Sequence, residues 1–186
     1  MTATPPPTIW IALLRGINVG GHRKVPMADL ASLIAVAGAL RPRTYIQSGN
    51  VVFWHPEADR EVLARDLETR IAAAFGFAVP VVLRTLSELH TAVAASPFLA
   101  RGEDSEALYL GFLSRQPEPA RVDSLDPRRG APDEFGVVGS DVHILIRGSF
   151  ATTKLSNAWF DSRLAAVCTV RNWRTVQALI GLATSL

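Results

Sequence analysis

Thr44-Tyr45-Ile46-Gln47-Ser48-Gly49-Asn50-Val51-Val52-Phe53-Trp54 is the stretch that decides the fold. Two short β-rich runs, Thr44–Ile46 and Val51–Trp54, flank four residues with turn chemistry, so the stretch reads as a hairpin. Upstream, Met27, Leu30, Leu33, Ile34 and Ala37 follow the 3.6 period of a helix. Pro26 suits its first turn and Gly38 its stop. Thr8–Arg15, before that helix, is an apolar run and reads as a buried strand. Downstream, Val62, Leu63, Leu67, Ile71 and Phe75 mark a long amphipathic helix from about Asp59 to Gly76. A strand at Phe77–Leu83 and a helix marked by Leu86, Leu89 and Val93 complete the run. The order β-α-β-β-α-β is the ferredoxin-like split arrangement.

The second half repeats that order more loosely, without a residue-level repeat. Ala107–Leu113 reads as a strand and Pro117–Leu125 as a helix. Glu134–Val138 and Asp141–Ile146 form a hairpin around Gly139-Ser140. Ser156–Leu164 is a helix, Val167–Val170 a short strand, and Trp173, Val176, Leu179 and Ile180 stripe a last helix. The expected fold is α+β, with two ferredoxin-like subdomains and mostly antiparallel sheets. The expected division is residues 1–100 and 101–186, with the joint at Ser96–Glu106, where Pro97, Gly102 and four charges interrupt the periodicity.

Bulk properties agree. The chain has 186 residues, 48% of them hydrophobic, and mean hydropathy is +0.20. A packed core is within reach and wholesale disorder is excluded. The single cysteine, Cys168, excludes an intrachain disulfide and a cysteine-based zinc site. It lies in the apolar run Ala165–Val170, which points to a buried, inert thiol. No run reaches the ~20 apolar residues of a membrane span, and the start Met1–Pro7 lacks a basic leader, so a cytoplasmic protein is expected.

The net charge of +2 hides an asymmetry. Residues 1–56 set Arg15, Arg23, Lys24, Arg41 and Arg43 against Asp29 alone. Residues 57–141 carry nine arginines against fifteen acids. Residues 142–186 set Arg147, Lys154, Arg163, Arg171 and Arg174 against Asp161. Basic ends suit an anionic partner. Only two of the nineteen basic residues are lysines, and both sit in loop-like segments.

Topology then says which loops meet. In a split βαβ unit the loop after the first strand and the hairpin between the next two share one end of the sheet. That groups Arg15, Asn18, Gly20, Gly21 and Lys24 with Gln47, Ser48 and Asn50, a set of donors beside a helix N-terminus suited to an anion. The Gly16–Gly21 spacing is not a P-loop, because His22-Arg23 stands where Lys-Ser/Thr is required. The same logic groups Lys154, Ser156 and Asn157 with Arg171 and Asn172 in the second half. Ser156 and Asn172 are also natural helix caps; Lys154 and Arg171 have no capping role. One shared site further requires the two groups to face a common cleft between the subdomains.

Four ordered motifs carry a family resemblance. Leu13-Leu14-Arg15-Gly16-Ile17-Asn18-Val19-Gly20-Gly21 runs on through Met27. Thr44–Phe53, Thr153-Lys154-Leu155-Ser156-Asn157 and Thr169-Val170-Arg171-Asn172-Trp173 follow. Together they resemble the bacterial family called domain of unknown function 1697, across nearly the whole chain. The resemblance implies a compact α+β protein of two subdomains and supplies no reaction and no ligand. Arg174 departs from it, standing where that family carries Asn.

Conventional catalytic sets are missing. His22, His55, His90 and His143 show no metal-ligand spacing, and no nucleophile elbow occurs. Glu103, Asp104 and Glu106 read as a solvated linker. Trp10, Trp54, Trp159 and Trp173 read as core. The expected function is binding of a small anionic ligand, a nucleotide or phosphorylated metabolite, in a cleft between the subdomains. The alternative is nucleic-acid binding through the basic loops, with Tyr45, Phe53 and Tyr109 as stacking surfaces. No RNP-type motif supports that alternative.

Overall fold

A computed structural model describes residues 7–186. The Met1–Pro6 start, read above for a leader, lies outside the described residues. The chain divides into two compact units. One comprises the chain up to Leu89 together with Ala178–Leu186, and the other is His90–Gln177.

In the first unit, β1 (Thr8–Leu14), α1 (Met27–Val36), β2 (Leu40–Tyr45), β3 (Asn50–His55), α2 (Arg60–Phe75) and β4 (Val81–Thr85) follow one another. The sheet order is β2-β3-β1-β4, antiparallel throughout. One face is Trp10, Ala12, Leu14, Val51, Phe53, Val81 and Leu83, packed on Met27, Leu30 and Ile34 of α1 and Leu63, Leu67 and Ile71 of α2. The alternate residues Ile11, Leu13 and Val52 are also fully buried. Both faces of the central strands are therefore covered, which is why β1 and β3 read as continuous apolar runs. Each such side chain contributes roughly 1.5–3 kcal/mol.

α2 shows the local rules. The Asp59 carboxylate accepts from the Glu61 and Val62 amides, and Gly76, at φ +80°, ends the helix in the left-handed region. β2 differs from its expected range. It begins at Leu40, with a register irregularity between Leu40 and Arg43, and Arg41 has φ +52°. This bulge lets Pro42 sit on an edge strand, where a missing N–H costs no pairing. β4 starts later than expected, because Pro80 precedes the first paired residue.

The second unit holds α4 (Pro97–Ala100), β5 (Leu108–Leu113), α5 (Pro119–Asp123), β6 (Glu134–Val138), β7 (Asp141–Leu145), α6 (Asn157–Leu164) and β8 (Cys168–Asn172). α3 (Leu86–Ala94) and α7 (Trp173–Thr184) follow β4 and β8 directly, and the boundaries between the units fall inside these two helices. The second sheet is β6-β7-β5-β8, again antiparallel. Its core includes Leu113, Val142, Ile144, Phe160 and Leu164. Phe135, Trp159 and Phe160 meet edge-on with ring centroids 4.9–5.7 Å apart.

The two halves correspond residue by residue. Ile11 pairs with Arg84 and Leu14 with Val81; Leu110 pairs with Arg171 and Leu113 with Cys168. The Arg15 amide donates to Pro80 O as the Ser114 amide does to Val167 O. The Leu14 amide donates to Gly49 O as the Leu113 amide does to Ser140 O. A repeat not apparent from sequence is therefore present in the register. Arg84-Thr85 and Arg171-Asn172 are its clearest trace, since both arginines are buried.

Candidate functional site

The loop after β1 and the β2–β3 turn do share one end of the first sheet. Asn18 joins them. Its side-chain amide donates to Val25 O (2.9 Å) and Gln47 O (2.8 Å), and its oxygen accepts from the Val25 amide (2.8 Å). Val19 and His22 bridge across Gly20 and Gly21, whose φ of +61° and +78° are those of a tight primed hairpin turn. Asn50 is fully buried and donates to Tyr45 O (3.1 Å). Asn18 and Asn50, expected to meet a ligand, thus hold backbone. Gly20 and Gly21 shape the tip. Gln47, Ser48 and Lys24 are exposed, and Lys24 makes no ion pair among the described residues. Arg15 is half-buried.

In the second unit α6 lies along the free edge of β8. Asn157 accepts from the Val170 amide (3.1 Å) and Asp161 from the Cys168 amide (2.6 Å). Ser156 caps α6 through the Trp159 amide (3.2 Å), and Asn172 accepts from the Thr175 amide at the start of α7 (2.8 Å). Thr153 donates to Asp133 (2.6 Å), which also accepts from the Arg147 amide (2.8 Å). This buried carboxylate fixes the loop before α6 and leaves Lys154 exposed. Arg171 is not a loop cation. It is buried in β8, donates to Thr169 Oγ1 (2.8 Å) and Val170 O (2.9 Å), and burial pushes its pKa down to about 10.

A cavity of about 520 Å³ opens where β5 begins and β8 ends. Tyr109 and Asn172 are paired across the two strands there. The lining adds Trp173, Arg174 and Gln177 from α7 and Ser105 and Glu106 from the 3₁₀ turn before β5. Tyr109 is held by Phe150, stacked on it at 4.7 Å. Arg174 and Gln177 are exposed and make no hydrogen bond or ion pair among the described residues. The sequence grouped Asn172 with Lys154, Ser156, Asn157 and Arg171, none of which lines this cavity, named Tyr109 only as a stacking surface, and did not select Arg174 or Gln177. The i, i+3 spacing of Arg174 and Gln177 on the polar side of the last helix was the available signal.

Other expectations resolve as follows. Glu103 is no solvated linker acid: it pairs with Arg101 (3.0 Å) and Arg147 (2.8 Å), while Glu134 pairs with the same two arginines. Those bonds hold both carboxyls below the usual range, against a smaller opposing effect of burial. Phe53 is fully buried and cannot stack a base. Cys168 is fully buried. Among the described residues no cluster of three His, Cys, Asp or Glu could hold a metal, and no helix is long and apolar enough to cross a membrane.

The fold and these loops define an α+β protein made of two ferredoxin-like halves. The chain belongs to the family described as protein of unknown function (DUF1697), whose model matches residues 8–143. Its fold is similar to that of the conserved bacterial protein SP0830 from Streptococcus pneumoniae, with a TM-score of 0.74 and 22% identity over 96% of this chain and 99% of that one. No curated protein matches.

Proposed function

We propose that the protein binds a small anionic ligand with a flat ring, a nucleotide or phosphorylated metabolite, in the cavity of the second unit. The observation that carries this reading is the lining itself: an aromatic wall, Tyr109 and Trp173, beside the cation Arg174, which makes no ion pair among the described residues. The volume of about 520 Å³ falls in the range of small-molecule sites. Arg174 suits a phosphate, because its planar fork can hold two oxygens at once. Gln177 and Asn172 add neutral hydrogen-bonding groups. Glu106 would repel an anion, so the phosphate belongs on the α7 side and the donors of a ring on the Glu106 side.

A thermal-shift and calorimetric panel of mononucleotides and phosphorylated sugars tests this. A ligand at a hundred times its dissociation constant stabilises the fold by about 2.7 kcal/mol. Arg174→Ala is expected to weaken binding by roughly ten- to a hundredfold, the loss of a charged hydrogen bond. If no member of the panel shifts the melting temperature, or if Arg174→Ala and Tyr109→Ala bind as tightly as the parent, the reading fails.

A further inference from the structure

We infer that the loop platform of the first unit is a contact surface for the phosphate backbone of single-stranded nucleic acid, separate from the cavity of the second unit. The platform is the Val19–His22 hairpin and the Ile46–Gly49 turn, joined by Asn18.

Charge is the first argument. His22, Arg23 and Lys24 stand exposed in succession. None of the three makes an ion pair among the described residues. The only acid in residues 1–56 is Asp29, in the first turn of α1. Arg41 and Arg43 continue the basic character along β2, the edge strand that leads into the turn. Arg41 donates to Leu186 O (3.2 Å) and Arg43 to Ser185 Oγ (3.4 Å), and neither pairs with an Asp or Glu side chain among the described residues. Cations strung along an edge and a loop suit a chain of phosphates better than one compact anion.

Backbone conformation is the second. Asn18, Arg23 and Ile46 all lie in the left-handed region, at φ +54°, +49° and +48°. For a β-branched residue that conformation is a genuine outlier, and such outliers persist where the surroundings over-determine them. Asn18 and the Gly20-Gly21 turn impose it here. The result is a display of two cations, Arg23 and Lys24, and the His22 imidazole beside two exposed apolar side chains, Val19 and Ile46. A loop tied by the Asn18 hydrogen bonds loses less entropy on binding than an untied one would.

The test is fluorescence anisotropy with labelled single-stranded RNA and DNA oligonucleotides of 12 residues on the full chain, over a salt series. Binding is expected, with log affinity falling against log salt by about 0.7 for each phosphate neutralised. Lys24→Glu combined with Arg23→Asn should weaken it at least tenfold and flatten the slope. Asn tolerates the positive φ at position 23 and both sites are exposed, so the melting temperature should not change. Arg65→Glu, on the exposed side of α2, should change neither affinity nor slope. The double variant is expected to keep any ligand of the cavity, which distinguishes failure here from failure there. Absence of oligonucleotide binding at 50 mM salt overturns the inference. So does equal binding by the double variant, or co-sedimentation with anionic phosphatidylglycerol vesicles in place of oligonucleotide binding.

Discussion

His143 is an unusual residue to find where it is. It sits in the middle of β7, almost fully buried, and neither ring nitrogen has a hydrogen-bond partner among the described residues. Burial pushes its pKa down to about 4. Unfolded, the ring titrates near 6.5. Between these values the unfolded chain takes up a proton that the folded protein refuses, so stability falls as pH drops from about 6.5 to 4. The loss is about 3 kcal/mol in all, and none of it appears above pH 6.5. His143→Leu, of similar volume, should flatten this acid limb in urea titrations from pH 4 to 8 and cost little at pH 7.5. An unchanged limb would place the acid sensitivity elsewhere. The alternation Val142-His143-Ile144 points His143 away from the core that holds its neighbours, which from sequence means solvent. Only the burial of the other sheet face makes it interior. Gly49 is the opposite case, legible as a turn residue but not in its severity. At φ +71°, an added Cβ would lie 2.7 Å from Leu14 Cβ and 2.8 Å from Ile17 Cδ1. Gly49→Ala is expected to cost about 2–4 kcal/mol in chemical denaturation, the sum of overpacking and a disfavoured backbone conformation.

At the level of elements, the edge strands β4 and β8 are finished in the same manner. Glu68 of α2 accepts from the Val81 amide (2.8 Å), and Asn157 and Asp161 of α6 accept from Val170 and Cys168. A helix side-chain oxygen, from a carboxylate or a carboxamide, thus occupies donors that an edge strand would otherwise leave open to pairing with another chain. Asp161→Ala should cost about 1–2 kcal/mol and speed amide exchange at Cys168. Exchange rates equal to the parent would show that this bond does not protect the edge. Element order was legible because periodicity switches cleanly between strands and helices. Its limits were not: α5 has five residues and none of them is buried, so the stretch around it carries no apolar stripe to read. The grouping of Asn18 with Gln47, and of Asn157 with β8, followed from topology alone. Their roles did not, because the same amide that can meet an anion can also hold a carbonyl. That Tyr109 and Arg174 share a cavity was not legible for a related reason: they are 65 positions apart and meet only through the register of β5 on β8.

At the scale of the molecule, sequence adjacency and structural membership part company at the C-terminal helix. α7 starts in the second unit, directly on β8, yet Ala178–Leu186 belongs to the first. The sequence showed the stripe Trp173, Val176, Leu179 and Ile180 but not that its two halves serve different units, since a single periodic stripe carries no mark of what covers it. Leu179 and Ala183 are almost completely buried, and Arg41 and Arg43 donate to Leu186 and Ser185. Removing Ala178–Leu186 therefore takes from the first unit a buried leucine, whose loss alone costs about 2–5 kcal/mol, together with the smaller terms around it. Such a loss is a large part of the 5–15 kcal/mol that holds an ordinary domain. The expected result is that a chain ending at Gln177 exchanges the amides of β1 and β3 much faster than the parent, whereas those of β5 and β7 are much less affected. Equal protection of β1 and β3 in the shortened chain would show that the first unit stands without its C-terminal segment.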